Sequence, residues 1–244
     1  PVLRNLANFY NFRGEFDNAT RMARALLRLG EEQQDASMLV DGHLFMGINL
    51  AFVDDLHAGL EHLDKAIAIF RSEPYPAGRY RLGNNPGVVS LTSSAFILWI
   101  LGHPDRGRQR ADEAIAVATG LEHPFTLAYG LFHAGYLYLW RREADLVRDR
   151  AERLLQLMAE HDFPIWRALG TCLLGAAETA MGQVEEGLAK VRRGIDLYQG
   201  LKTPPVFWPM LRALEAGAYA QAGRVDEGLA MVDEALEIAG RGSG

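Results

Sequence analysis

Few residues in this chain are placed to do chemistry. Cys172 is the only cysteine; it lies in an apolar helical run beside Leu173 and Leu174, where a thiol is a small packing residue rather than a nucleophile. The seven histidines do not fall at metal-ligand spacing: His57 and His62 are five apart, which is wrong for one helix face. His103 and His123 each precede a proline, where turn or capping roles fit better than ligation. No phosphate-binding Gly-x-x-x-x-Gly-Lys-[Ser/Thr] loop, His-Glu-x-x-His or Gly-x-Ser-x-Gly elbow occurs. Arg141, Arg142, Arg148, Arg150 and Arg153 are interleaved with Glu143, Asp145, Asp149 and Glu152, the pattern of a solvated, ion-paired face rather than an anion site. The aromatic residues remain. Phe96/Trp99 and Tyr129/Phe132/Tyr136/Trp140 follow i, i+3, i+4 spacing, so each set forms a stripe on one helix face. Such a stripe suits recognition, through large contact area with a polar edge on Tyr and Trp, and it equally suits helix-to-helix core. Catalytic residues, metal ligands and cofactors are not implied.

The elements that carry these stripes are set by small residues twelve positions apart: Ala7/Ala19, Gly47/Gly59, Ala95/Gly107, Gly135/Val147, Gly175/Gly187 and Ala216/Gly228. Only Val147 departs from Gly or Ala. The second members recur at 19, 59, 107, 147, 187 and 228, a period of about forty residues. Glycine within a helix costs roughly 0.5–1 kcal/mol relative to alanine. Its regular recurrence therefore predicts pairs of antiparallel helices that cross closely at these positions. Tight turns separate the helices of a pair, clearest at Arg13-Gly14-Glu15, Gly102-His103-Pro104, Gly182-Gln183-Val184 and Gly223-Arg224-Val225. The second helices carry a packed stripe of 3.6-residue period, as in Ala111, Ala114, Ile115 and Ala118. Pro124, Pro164 and Pro205 each stand eleven residues before the first small residue of their repeat, where proline opens a helix.

The expected organisation is one repeat domain over 1–239, with repeats at about 1–30, 36–71, 86–119, 124–160, 164–200 and 205–239. A flexible tail over 240–244 follows. The interval between the second and third repeats is eight residues too long, and the surplus falls in an insertion at 72–87 rich in Pro and Gly. Insertions of this kind map to loops, often on the binding side, or serve as plain spacers.

Composition narrows the function classes. Apolar residues make up 49% and charged residues 23%, as in a folded chain. A net charge of −6 argues against a general nucleic-acid or anionic-membrane binder, and the most apolar run, Ala95–Leu101, is too short to span a bilayer. A single cysteine excludes an internal disulfide and fits a reducing cytoplasm. The opening Pro-Val-Leu-Arg carries neither an initiator Met nor a secretory signal, and the chain reads as a piece of something longer. Leu229, Val232, Leu236 and Ile238 give the last helix an apolar face without the polar cap a final repeat normally needs.

The Gly-turn, Ala/Gly and aromatic positions together resemble a tetratricopeptide-type repeat, lengthened from 34 residues to about 40. Leu82-Gly-Asn-Asn-Pro-Gly-Val-Val-Ser-Leu91, Leu98-Trp-Ile-Leu-Gly-His-Pro-Asp105, Gly120-Leu-Glu-His-Pro-Phe-Thr-Leu-Ala128 and Ala222-Gly-Arg-Val-Asp-Glu-Gly-Leu229 further resemble the C-terminal repeat region of large bacterial predicted ATPases. Those proteins often carry a cyclase-type or DNA-binding effector and a nucleotide-binding module ahead of the repeats. Where that family usually reads Gly-x-Asp-Pro-Gly, this chain has Asn85.

The resemblance implies an all-α, right-handed superhelical α-solenoid of about six antiparallel helix pairs. On that pattern the first helices line a concave face, which directs Thr92, Phe96, Trp99, Tyr129, Phe132, Tyr136 and Trp140 inward. The implied role is a non-catalytic recognition or regulatory module, cytoplasmic, binding a protein, a peptide or a small amphipathic ligand and biasing an effector domain of the parent protein. A scaffold that packs against a second copy or a neighbouring domain is the alternative, and an enzyme built on a helical array is a third reading.

Overall fold

The computed structural model describes residues 2–53, 55–73, 75–79, 83–201 and 207–241. These residues form twelve α-helices and one 3-10 turn at Ala77–Arg79, with no strand among them. The helices come in pairs: α1 (Val2–Phe12) with α2 (Phe16–Gln33), α3 (Ala36–Phe52) with α4 (Leu56–Ser72), and α5 (Pro86–Ile100) with α6 (Pro104–Gly120). Then follow α7 (Pro124–Trp140) with α8 (Ala144–Glu160), α9 (Pro164–Ala180) with α10 (Val184–Gly200), and α11 (Trp208–Gln221) with α12 (Val225–Arg241).

The chain divides into two compact units, Pro1–Gly130 and Leu131–Gly244, with the boundary inside α7. In the first unit each helix from α1 to α6 packs on its successor, and α3 also packs on both α1 and α5. In the second unit the same succession runs from α8 to α12, and α9 packs on α11. Contacts between near neighbours in sequence are how repeat arrays bury their apolar faces.

Helix composition follows from position in this scheme. The first helix of a pair is covered by its own partner and by adjacent repeats, so α3 and α5 are apolar on nearly every side, with Val88, Leu91, Ala95, Ile97 and Leu98 of α5 all buried. The second helix has an outer face in water. In α6 the stripe Ala111, Ala114, Ile115 and Ala118 is buried, while Asp105, Arg106, Gln109, Asp112 and Thr119 are exposed.

One turn geometry recurs between paired helices. The amide of the third residue past the helix bonds back to a carbonyl five residues earlier: Glu15 to Tyr10 at 2.9 Å, His103 to Leu98 at 2.8 Å, Glu143 to Tyr138 at 3.0 Å, Gln183 to Glu178 at 2.9 Å and Arg224 to Tyr219 at 2.9 Å. The residue before each of those amides takes a left-handed conformation, which glycine adopts without steric cost. Gly14, Gly102, Gly182 and Gly223 stand there with φ of 72–91°, and Arg142 occupies the same place in the fourth pair at φ 60°.

The small pairs lie where paired helices cross. A Cβ added to Gly175 would sit 2.5 Å from the Gly187 carbonyl oxygen, and one on Gly47 would sit 2.8 Å from that of Gly59. On Gly107 it would meet the Ala95 carbonyl at 2.7 Å. The fourth pair differs: a Cβ on Gly135 would strike Leu173 Cδ2 of α9 at 2.6 Å, so this glycine makes room for the next repeat rather than for Val147.

Pro124 and Pro164 open α7 and α9, whereas Pro205 lies outside the described residues. Within the expected insertion, residues 74 and 80–82 also lie outside them; Ser72 ends α4, and Pro86 and Gly87 already belong to α5. Of the expected tail, Gly240 and Arg241 belong to α12, and 242–244 lie outside the described residues. On α12, Val225, Leu229, Val232 and Leu236 are exposed.

Asn85 caps α5. Its side-chain oxygen accepts from the Gly87 amide at 2.9 Å and the Val88 amide at 3.2 Å, a geometry that needs an oxygen and not a charge. Asn85→Ala should therefore lower stability by about 1–2 kcal/mol, read as a shift of the urea midpoint at unchanged slope.

Candidate functional site

In the first unit, the aromatic stripe is built on α5 and the start of α7. Thr92 is buried; its hydroxyl lies 3.1 Å from the Val88 carbonyl, 3.0 Å from the Val89 carbonyl and 3.5 Å from the Tyr129 hydroxyl. Phe96 and Trp99 are half-buried. Tyr129 packs against the core formed by Ile67, Val88, Leu91, Ala114 and Ala118. Burial pushes its hydroxyl up to about 12 against the opposing pull of Thr92, so it stays neutral at any physiological pH. Thr92 and Tyr129 thus meet as a polar contact in an otherwise apolar wall.

In the second unit, Phe132 has no exposed surface. It sits 6.0 Å from the Trp166 ring and meets Phe207 edge-on at 5.8 Å, with His133 and Trp166 completing the cluster. Phe132 is therefore core packing. Tyr136 is nearly covered, and burial pushes its hydroxyl up to about 12. Trp140, one turn further, packs against Tyr136 at 5.6 Å and keeps 37% of its surface exposed. Of the seven stripe residues, Thr92, Phe132 and Tyr136 are buried, Phe96, Trp99 and Tyr129 are half-buried, and Trp140 is exposed.

The arginine-rich segment is ion-paired: Arg141 meets Glu143 at 3.0 Å, Arg148 meets Asp145 at 3.7 Å, and Arg150 pairs with Asp149. Cys172 is fully buried and donates weakly to the Val191 carbonyl at 3.5 Å; burial, with the nearby Glu215 charge, pushes its thiol up to about 12. A thiol held that high has almost no thiolate at neutral pH and is no nucleophile. Among the described residues no group of three or more His, Cys, Asp or Glu is placed to hold a metal.

Several polar clusters have no signature in the sequence. His43 and His62, on α3 and α4, bring their Nδ1 atoms to 2.9 Å. Three buried carboxylates each hold a cation: Asp41 with Arg4 at 3.0 Å, Glu215 with Arg212 at 2.7 Å, and Glu178 with Lys190. Each stands where other repeats have mainly apolar residues, such as Tyr138, Leu98 and Tyr219 at the position of Glu178. An acid at one such register position, with its cation 3, 12 or 37 residues away, is the available signal.

No family model and no curated protein sequence matches this chain. Solved structures do. A Rap protein complexed with Competence and Sporulation Factor superposes with a TM-score of 0.65 at 11% identity, covering 97% of this chain and 74% of that one. The apo form of RapI gives a TM-score of 0.67 at 12% identity over 99% of this chain and 97% of that one. A Signal Transduction ATPase with Numerous Domains from Pyrococcus horikoshii, which has a tetratricopeptide repeat sensor, gives 0.61 at 13% identity; 98% of this chain matches 36% of that protein. At such low identity the likeness concerns architecture. The chain has an all-α, tetratricopeptide-like solenoid fold built of paired helices.

Proposed function

We propose that this chain is the non-catalytic recognition module of a larger bacterial signalling ATPase or cyclase-like protein, and that it binds a peptide or protein segment through accessible aromatic side chains of its first helices. The observation that carries the reading is the placement of Trp99 and Trp140. Each lies in the last turn of the first helix of its pair and retains accessible surface above buried stripe members. A large ring held rigid from below and open above loses little entropy on binding, which suits a contact hot spot. The architecture supports the same reading, because one structural neighbour is complexed with Competence and Sporulation Factor and another carries its repeats as a sensor. The high thiol pKa of Cys172 supports a non-catalytic role.

Selection of a random peptide library on the purified protein, followed by fluorescence anisotropy, tests the proposal. Trp99→Ala with Trp140→Ala should weaken the selected peptide at least a hundredfold, about tenfold per 1.4 kcal/mol, with helicity kept. A folded double variant that binds as well as wild type would move the binding face elsewhere. An unfolded one would make both rings core.

A second reading, assembly against another copy or a neighbouring domain, is favoured by the exposed apolar stripe Val225, Leu229, Val232 and Leu236 of α12. Concentration-dependent mass in sedimentation would identify it.

A further inference from the structure

Half-buried Arg4 of α1 and buried Asp41 of α3 form an ion pair in the first unit, Nε to Oδ1 at 3.0 Å, with Asp41 only 3% exposed. Their register is unusual. At the position of Arg4 the later repeats carry Leu44, Thr92, Phe132, Cys172 and Ala213; at that of Asp41 they carry Val89, Tyr129, Leu169 and Met210. These are the first-helix positions to which Thr92, Phe132 and Tyr129 of the aromatic stripe belong. In the first two repeats, an ion pair replaces the apolar or weakly polar side chains.

What completes this pair is the insertion between α4 and α5. The Tyr75 hydroxyl lies 3.0 Å from both oxygens of Asp41, and Arg4 Nη2 donates to the Asn84 carbonyl at 3.0 Å. A buried ion pair is stable only when its remaining hydrogen-bonding capacity is satisfied. The insertion supplies one hydroxyl donor to the acid and one backbone carbonyl acceptor to the guanidinium. Both are groups that any peptide containing tyrosine carries.

The seating is also incomplete on its other side. Tyr75 borders an open cavity of about 380 Å³ lined by Phe70, Arg71, Ser72, Glu73, Asn85 and Leu121. Asn85 is fully buried there, and its Nδ2 makes no hydrogen bond among the described residues.

We propose that Arg4 and Asp41 form a peptide-reading site which the chain's own insertion fills as an internal ligand. The external ligand is an extended peptide presenting a tyrosine hydroxyl to Asp41 and a main-chain carbonyl to Arg4. A site whose buried polar groups need partners discriminates strongly against ligands that lack them. The inference rests on the peptide-binding reading above but uses residues distinct from Trp99 and Trp140.

The test uses a fluorescent synthetic peptide of sequence 72–85 added to the whole protein. Tyr75→Ala removes the internal competitor, so this variant should bind the peptide at least tenfold more tightly than wild type. The same peptide with phenylalanine in place of tyrosine should bind at least tenfold more weakly. Equal binding to wild type and variant, absence of binding to the variant, or indifference to the peptide hydroxyl would each overturn the proposal. If Tyr75→Ala loses helicity, Tyr75→Phe, which removes only the hydroxyl, replaces it in the same comparison. Carrying Trp99→Ala and Trp140→Ala into the variant separates the two sites: this peptide should bind unchanged even if the aromatic face proves to be core.

Discussion

Gly175→Ala should destabilise the second unit by about 2 kcal/mol or more, whereas Gly217→Ala should stabilise it by about 0.5–1 kcal/mol. Both glycines lie within first helices, α9 and α11, so intrinsic helix propensity favours alanine at each. They differ in what the added methyl meets. At Gly217 nothing lies within 4 Å. At Gly175 the methyl would sit 2.5 Å from the Gly187 carbonyl oxygen and 2.7 Å from the Val191 amide nitrogen. Both are backbone atoms of α10 and cannot rotate away, so relief requires the two helices to separate. Separation would open the packing of Leu173, Leu188 and Val191, all buried in that unit. Overpacking of this kind typically costs 1–3 kcal/mol and overrides the gain in propensity. Thermal melts of both variants check the pair of signs; for a chain of this size the loss corresponds to a fall of roughly 4–8 °C. If both substitutions raised the melting temperature, close backbone approach would not be what the small pairs secure.

That contrast also shows which parts of the fold could be read from the sequence. The period was legible because its causes are local: left-handed turn residues such as Gly102 and Gly182, prolines opening α7 and α9, and small residues spaced by the end of one helix, one turn and the start of the next. Gly135/Val147 fits the spacing for a different reason, since Gly135 yields to Leu173, a neighbour thirty-eight residues on. The aromatic positions were legible as stripes but not as surface or core. Spacing says that Phe132 and Trp140 share a face; it does not say that Trp166 and Phe207 will cover one and leave the other open. Asp41–Arg4 and His43–His62 were illegible, because each joins different helices whose register depends on how neighbouring repeats settle. The insertion is visible in the sequence by its length and its Pro and Gly content, and only its contacts connect it to the first helices.

The histidine pair should make the first unit sensitive to mild acid. Burial is the main cause that lowers His43, to about 4, with His62 and then Lys65 adding repulsion; His62 is lowered too, by burial and Lys65 against the opposing pull of Glu61. Two imidazoles with Nδ1 atoms 2.9 Å apart can share one proton as donor and acceptor but cannot both be charged without parting. The folded state therefore binds fewer protons than the unfolded chain, whose histidines titrate near 6.5. The sign follows: this contribution is fully present above pH 6.5 and is lost as pH falls towards 4. At pH 5 the loss should be about 1–2 kcal/mol, the upper figure applying if no solvent reaches the rings. Most other repeats offer an apolar replacement for His43, with Leu3, Leu91 and Leu131 in its register; in that of His62 stand Met22 and Met231. His43→Leu with His62→Met should accordingly flatten the dependence of the urea midpoint between pH 7.5 and 5, with little change at pH 7.5. An acid dependence as steep as wild type in that double variant would trace it to other groups, among which the lowered carboxylates of Glu15 and Glu227 act only at lower pH. A flattened one would make the α3–α4 contact the point at which acid first loosens the repeats that hold Asp41 and Arg4.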